Sequence, residues 1–177
     1  MILASNHLMS LEGLTLPANF VLRVNLAYVN GLVALNEILQ TKNDVFLDFP
    51  KGRRKPPFGN ITLAGAIGIT NTYNNIKYFA ISNTEDSKQI ETIKECLPSR
   101  ISVVPKIETI RGVLYLQEII NKVKPSYVML DTEDLFTDIR DIGIFTKMCS
   151  KVEAVCNMNG VKLLKLSGVI FCDTMHS

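Results

Sequence analysis

Residues Ile101–Ile120 read ISVVPKIETIRGVLYLQEII. The first half is a β-branched run whose side chains alternate between two faces. Ser102, Val104, Lys106 and Glu108 share one face, and Ile101, Val103, Pro105 and Ile107 share the other. The second half sets Leu116, Ile119 and Ile120, with Val123 beyond, on one helical face. The more apolar strand face suits packing against helices. The face ending in Lys106 and Glu108 suits the inside of a parallel (β/α) barrel at its C-terminal rim, where such barrels place their chemistry.

The same alternation runs through the chain. FVLRVNL, DVFLDF, IKYFAIS, SYVMLD and VKLLKLS are further strand-like runs, separated by helical patterns such as GLVALNEILQ, TEDSKQIETIKECL and IFTKMCSKVEAVCN. Thr84 is the expected cap of the second of these helices. Strand–helix alternation predicts an α/β fold with a parallel sheet covered by helices. The phosphate-binding signatures of open doubly wound sheets, GxGxxG and GxxxxGK[ST], are absent, which favours a TIM-barrel-like arrangement. Six strands are secure and MILAS at residues 1–5 is a candidate seventh, so the expected barrel has six to seven strands, is incomplete and forms one domain over 1–177. Residues 51–75, basic and proline-rich and then small and apolar, read as a long excursion between two strands.

Composition narrows the function. Of the 177 residues 47% are hydrophobic and 20% charged, with a net charge of +2, which describes a globular chain without the charge of a nucleic-acid-binding protein. No apolar run is long enough to span a membrane, and MILASNHLMSLEG lacks the pattern of a signal peptide. The four cysteines form no CxxC pair and the two histidines, His7 and His176, lie near the chain ends, so a zinc site is not expected. A cytoplasmic protein with reduced thiols is the expectation.

Polar residues gather at the strand ends. Arg23 and Asn25 share one side of VLRVNL, Asp48 closes DVFLD, Lys165 and Ser167 share one side of KLLKLS, and Asp134 closes SYVMLDTED. Desolvating unpaired charges is costly, so a barrel built for stability alone would not collect them at one end. An internal salt-bridge network joining Lys106 to Glu108 or Asp134 is the alternative.

The pattern resembles the phosphoenolpyruvate/pyruvate barrel superfamily, pyruvate kinase in particular, from about Phe20 to Phe171. VLRVNLAY resembles that family's Arg-x-Asn-x-Ser-His strand, with Ala27 and Tyr28 replacing the last two. FLDFPKGRRK is similar to its Asp-Thr-Lys-Gly strand, with one residue inserted and Phe49 in place of threonine. VVPKIET matches most specifically, placing the family's lysine on Lys106 and its metal-binding glutamate on Glu108. YVMLDTEDLF resembles the run into Arg-Gly-Asp-Leu and puts the metal-binding aspartate on Asp134. GVKLLKLSGV aligns with the strand ending in Ala-Thr-Gln, so that Ser167 takes the threonine's place. IETIRGVLYLQEI and TEDLFTDI are also similar to the citrate-lyase β-subunit and hydroxy-oxo-acid aldolases of the same superfamily.

The resemblance implies Mg²⁺ (or Mn²⁺) held by Glu108 and Asp134, with phosphoenolpyruvate or an oxo-acid as substrate. Arg23, Lys106 and Ser167 are then the catalytic candidates, and Lys165 joins them in substrate binding. Asn25 and Asp48 would be the remains of a monovalent-cation site, with K⁺ not expected because Ala27 and Phe49 lack side-chain oxygens. Residues 51–75 would stand in place of the kinase's lid domain. The leading expectation is a reduced pyruvate-kinase-like phosphotransferase. The alternatives are a metal-dependent carbon–carbon lyase, in one variant with Lys165 as a Schiff-base amine, and a non-catalytic barrel acting as a binding module. An open barrel edge would be covered by a second copy in a homo-oligomer.

Overall fold

The computed structural model describes residues 1–5, 17–53, 56–167 and 170–173, with the backbone alone at 166, 167 and 170–173. His7, His176, Arg54 and Lys55 lie outside the described residues.

Seven parallel strands follow one another around a barrel: β1 (Ile2–Ser5), β2 (Phe20–Asn25), β3 (Asp44–Phe49), β4 (Ile76–Ile81), β5 (Ser102–Ile107), β6 (Tyr127–Leu130) and β7 (Lys162–Ser167). The helices between them are α1 (Gly31–Leu39), α2 (Leu63–Thr72), α3 (Ser87–Cys96), α4 (Ile110–Val123), α5 (Thr132–Ile139) and α6 (Ile142–Met158). This is the α/β, TIM-barrel-like arrangement expected of the sequence, with MILAS as the seventh parallel strand. The excursion at 51–75 contains α2, the helix that links β3 to β4. Thr84 does not cap α3. Asp86 does, its side chain accepting from the Lys88 N–H, while the Thr84 hydroxyl donates to the Ile81 carbonyl.

An eighth strand, β8 (Ile170–Asp173), replaces the missing βα unit. It pairs antiparallel with both β7 and β1, matching Ser167 with Ile170 and Ile2 with Cys172, and completes the ring. The edge on which a second copy was expected is therefore paired within the chain. Only two residues separate β7 from β8 in sequence, because an antiparallel return needs no crossover helix.

Two apolar layers result from strand alternation. Leu22 and Val24 of β2, Val45 and Leu47 of β3, Phe79 and Ile81 of β4 and Val103 of β5 face outward and pack with α1, α2 and α3. Ile107, Val128, Leu130 and Leu163 face outward against α4, α5 and α6. The intervening residues Leu3, Val21, Phe46, Ala80, Val104, Met129 and Leu164 fill the barrel. One step further along the strands the inward positions turn polar.

Two close approaches pin connections to this frame. Asn75, just before β4, donates from Nδ2 to the carbonyls of Leu39 at 3.1 Å and Thr41 at 3.0 Å, tying down the link from α1 to β3. A Cβ at Gly59 would stand 2.2 Å from the Leu26 carbonyl oxygen, so only glycine lets this connection lie against the turn after β2. The closure by β8 is open to a direct check: a chain ending at Ser167 exposes the edges of β1 and β7. It should elute from a sizing column as larger species at micromolar concentration, whereas the full chain should show no such edge-driven association.

Candidate active site

Above the apolar barrel layer lies a charged one. Arg23 on β2, Asp48 on β3 and Lys106 on β5 all point inward and are almost wholly buried, at 7%, 1% and 4% exposure. Asp48 Oδ2 accepts from Arg23 Nε at 3.0 Å and from Arg23 Nη2, and it lies 3.3 Å from Lys106 Nζ. Arg23 Nη1 donates to Ser5 Oγ at 3.2 Å. Lys106 Nζ also donates to Ser82 Oγ at 3.1 Å and stands 2.9 Å from Glu108 Oε1. Asn83 N–H donates to the other carboxylate oxygen, Glu108 Oε2, at 2.6 Å.

Glu108 leads up to the rim. One carboxylate oxygen each from Glu108, Asp131 and Asp134 lie within 4.8 Å of one another. Asp131 is the residue after β6 and caps α5, accepting from the Asp134 N–H at 3.3 Å, so the two aspartates are held by the same helix start. The cluster borders a cleft of about 670 Å³ whose walls include Lys51, Gly52 and Arg53 after β3, Ser82 and Asn83 after β4, and Thr137 and Arg140 at the end of α5. Hard oxygen donors from two successive strand ends are the set that Mg²⁺ or Mn²⁺ favours. The residues present fit such an ion.

Electrostatics separates the carboxylates. Burial would raise Asp48, but the charges of Lys106 and Arg23 outweigh it and hold the carboxyl below its ordinary value. Burial dominates at Glu108, which is raised despite the neighbouring Lys106, with Asp48 adding to the rise. Lys106 is pushed up to about 12, because Asp48 and Glu108 together overcome its burial. An ammonium so stabilised is a fixed cation, not an amine nucleophile or a base. Glu108 carries the opposite imbalance, and a second positive charge near it would relieve that.

Arg23, Asn25, Asp48, Lys106 and Glu108 thus all reach the barrel's C-terminal end. Asn25, expected to help hold a monovalent cation, instead accepts the Ala27 N–H on its side-chain oxygen at 3.1 Å. At Asp48 the place of that cation is taken by Lys106 and Arg23. Lys165 is not brought to the site. Leu164 takes the inward position on β7, which turns Lys165 outward, where its ammonium pairs with Glu153 of α6. This placement removes it as a Schiff-base candidate within the barrel. Ser167 ends β7, and its side chain lies outside the described residues. The sequence reading missed Ser5, Ser82, Asn83 and Asp131. Asp131 was within reach: with Met129 inward, alternation places Asp131 on the same face.

No family model matches the chain, and comparison with curated proteins finds no match. Solved structures do share its fold. The citrate synthase SbnG aligns with a TM-score of 0.67 at 13% identity, over 84% of this chain and 68% of that one. Macrophomate synthase gives 0.62 at 13% identity, over 81% and 62%. RipC from Yersinia pestis gives 0.60 at 15% identity, over 82% and 68%. The likeness establishes the fold.

The charged layer makes a signed prediction about stability. Asp48 is lowered, so its contribution is present above its unfolded value near pH ~4 and is lost as pH falls through the folded value. Lys106 is raised, so its contribution is complete below about pH 10 and is lost as pH rises toward 12. Asp48→Asn leaves two buried cations short of their shared anion and should cost about 3–5 kcal/mol at pH 7 in urea unfolding. The gap to the wild type should begin to narrow below about pH 4, where the unfolded carboxyl takes up its proton, and close as pH falls through the lower folded value.

Proposed function

We propose that this chain is a metal-dependent barrel that binds an oxo-acid and stabilises its enolate, for carbon–carbon bond cleavage or formation. One observation carries the reading: three carboxylates, Glu108, Asp131 and Asp134, converge at the strand ends, with Lys106 Nζ 2.9 Å from Glu108 on their inner side. Glu108 and Asp134 would hold the ion, with Asp131 next to them. A divalent ion there supplies Lewis acidity toward the carboxylate and oxo oxygens of the substrate, spreading the charge of the enolate. Lys106 adds a cation on the inner side of the same carboxylates, whose field favours charge developing on a bound enolate although its own donors are taken by Asp48, Ser82 and Glu108. Ser82 accepts a further hydrogen bond from the Lys106 ammonium at 3.1 Å.

The kinase expectation has less support. Phosphoryl transfer requires a nucleotide clamp, and the described part of 51–75 consists of a turn and α2. Arg23, the expected phosphate ligand, directs donors to Asp48 and Ser5. The neighbours in fold include proteins named as synthases of citrate and of macrophomate, and none of the three is named as a kinase.

Exchange of the pyruvate methyl protons with D₂O, followed by proton NMR, tests the reading without knowledge of the second substrate. Mg²⁺-dependent exchange is expected in the wild type. Glu108→Gln should lose it by at least about tenfold, with Mn²⁺ binding weakened in parallel when measured by electron paramagnetic resonance. Phosphoenolpyruvate with ADP should give no pyruvate in a lactate-dehydrogenase-coupled assay. Turnover in that assay, or equal Mn²⁺ binding by the wild type and Glu108→Gln, would reverse the conclusion.

A further inference from the structure

We infer that Asn83 is a positioning residue for Glu108, and that through it the turn at Lys51–Gly52 and the carboxylate cluster are held as one unit. This rests on the metal-site reading above. Asn83 follows β4 with φ of 48°, in the left-handed region that side chains other than glycine seldom occupy. Asparagine is among the residues that tolerate it best. In this conformation its N–H reaches Glu108 Oε2 at 2.6 Å.

The side chain of Asn83 makes a second connection. Its Nδ2 donates to the Lys51 carbonyl at 2.8 Å, and Lys51 Nζ donates back to the Asn83 carbonyl at 3.3 Å. The adjoining Gly52, with φ of 67°, completes a turn that lies directly beside the Asn83 amide. Each oxygen of Glu108 is therefore fixed by one donor. Lys106 comes from the strand that leads into Glu108, and Asn83 from the end of the neighbouring β4. The remaining lone pairs of the carboxylate are left for a ligand shared with Asp131 and Asp134.

Asparagine meets both demands. Glycine accepts the backbone conformation but cannot tether Lys51, and aspartate has no N–H to offer that carbonyl. The left-handed turn at 83 is therefore tied to the wall of the cleft, and backbone strain at such a position is a common companion of a site.

Mn²⁺ binding by electron paramagnetic resonance, with thermal melting as a folding control, tests the inference on the full chain. Asn83→Gly keeps the backbone conformation accessible but releases the tether. It should weaken Mn²⁺ about tenfold, as loss of an outer donor to a metal ligand does elsewhere. Asn83→Asp should weaken it as well. Hydrogen exchange supplies a readout that a merely structural role would not move: Mn²⁺ should slow exchange of the amides at residues 51–53 in the wild type and not in Asn83→Gly. Mn²⁺ affinity in Asn83→Gly within twofold of the wild type, or equal slowing of exchange in both, overturns the inference and leaves the metal reading intact. A wild type that binds no Mn²⁺ removes the metal reading and this inference with it.

Discussion

Asp48 is the point on which the interior depends. Two cations, Arg23 and Lys106, enter a space lined by Leu3, Phe46, Val104 and Met129, and a single carboxylate oxygen answers both. Buried charge without a partner would be worth several kcal/mol of destabilisation, more than most single contacts can offset. With Asp48 present, Lys106 has hydrogen bonds to spare for Ser82 and Glu108. The charged layer can then sit directly on the apolar one, with Phe46 and Asp48 as successive inward positions on β3.

This layering gives each strand two functions along its length. The inward residue nearer the strand start fills space, and the next one carries charge. Asp48 Oδ1 is buried and makes no hydrogen bond, so the layer is not fully satisfied even with its ion pairs in place. Such a shortfall is tolerable beside two cations and costly elsewhere. The pairing also gives the residues different roles. Arg23 and Asp48 brace the barrel, Lys106 bridges the Asp48 and Glu108 carboxylates, and Glu108 lines the cleft.

Much of the fold could be read from alternation, because a period of two assigns every residue of a strand once one face is known. That logic put Lys106 of β5 and Glu108 just after it, Arg23 and Asn25 of β2, and Asp48 of β3 at the strand ends where the structure has them. It failed on β7, where KLLKLS has leucines on both faces and a lysine on each, so the sequence offered no contrast by which to choose the inner one. Leu164 packs inside and Lys165 outside. The antiparallel β8 was invisible for a different reason. A four-residue strand that begins two residues beyond β7 carries neither the helix nor the length that marks a βα unit. Asp131 was overlooked because the likeness of TEDLF to a family motif drew attention to Asp134, three residues further on. Asn83 left no signal, since a left-handed backbone angle is not written in composition.

The antiparallel β8 also settles where the chain's two outer strands meet. Ile2, at the start of β1, lies opposite Cys172, near the end of β8, and both are at the face of the barrel away from the carboxylate cluster. The barrel is therefore circularly permutable in principle: a short linker from β8 to β1 would preserve every strand pairing, and new ends could be opened in any exposed connection between a helix and the following strand. Equally, a protein fused at either strand would leave from the floor of the barrel and not across its mouth, so the cleft could be tethered to a surface or to a partner enzyme without being obstructed.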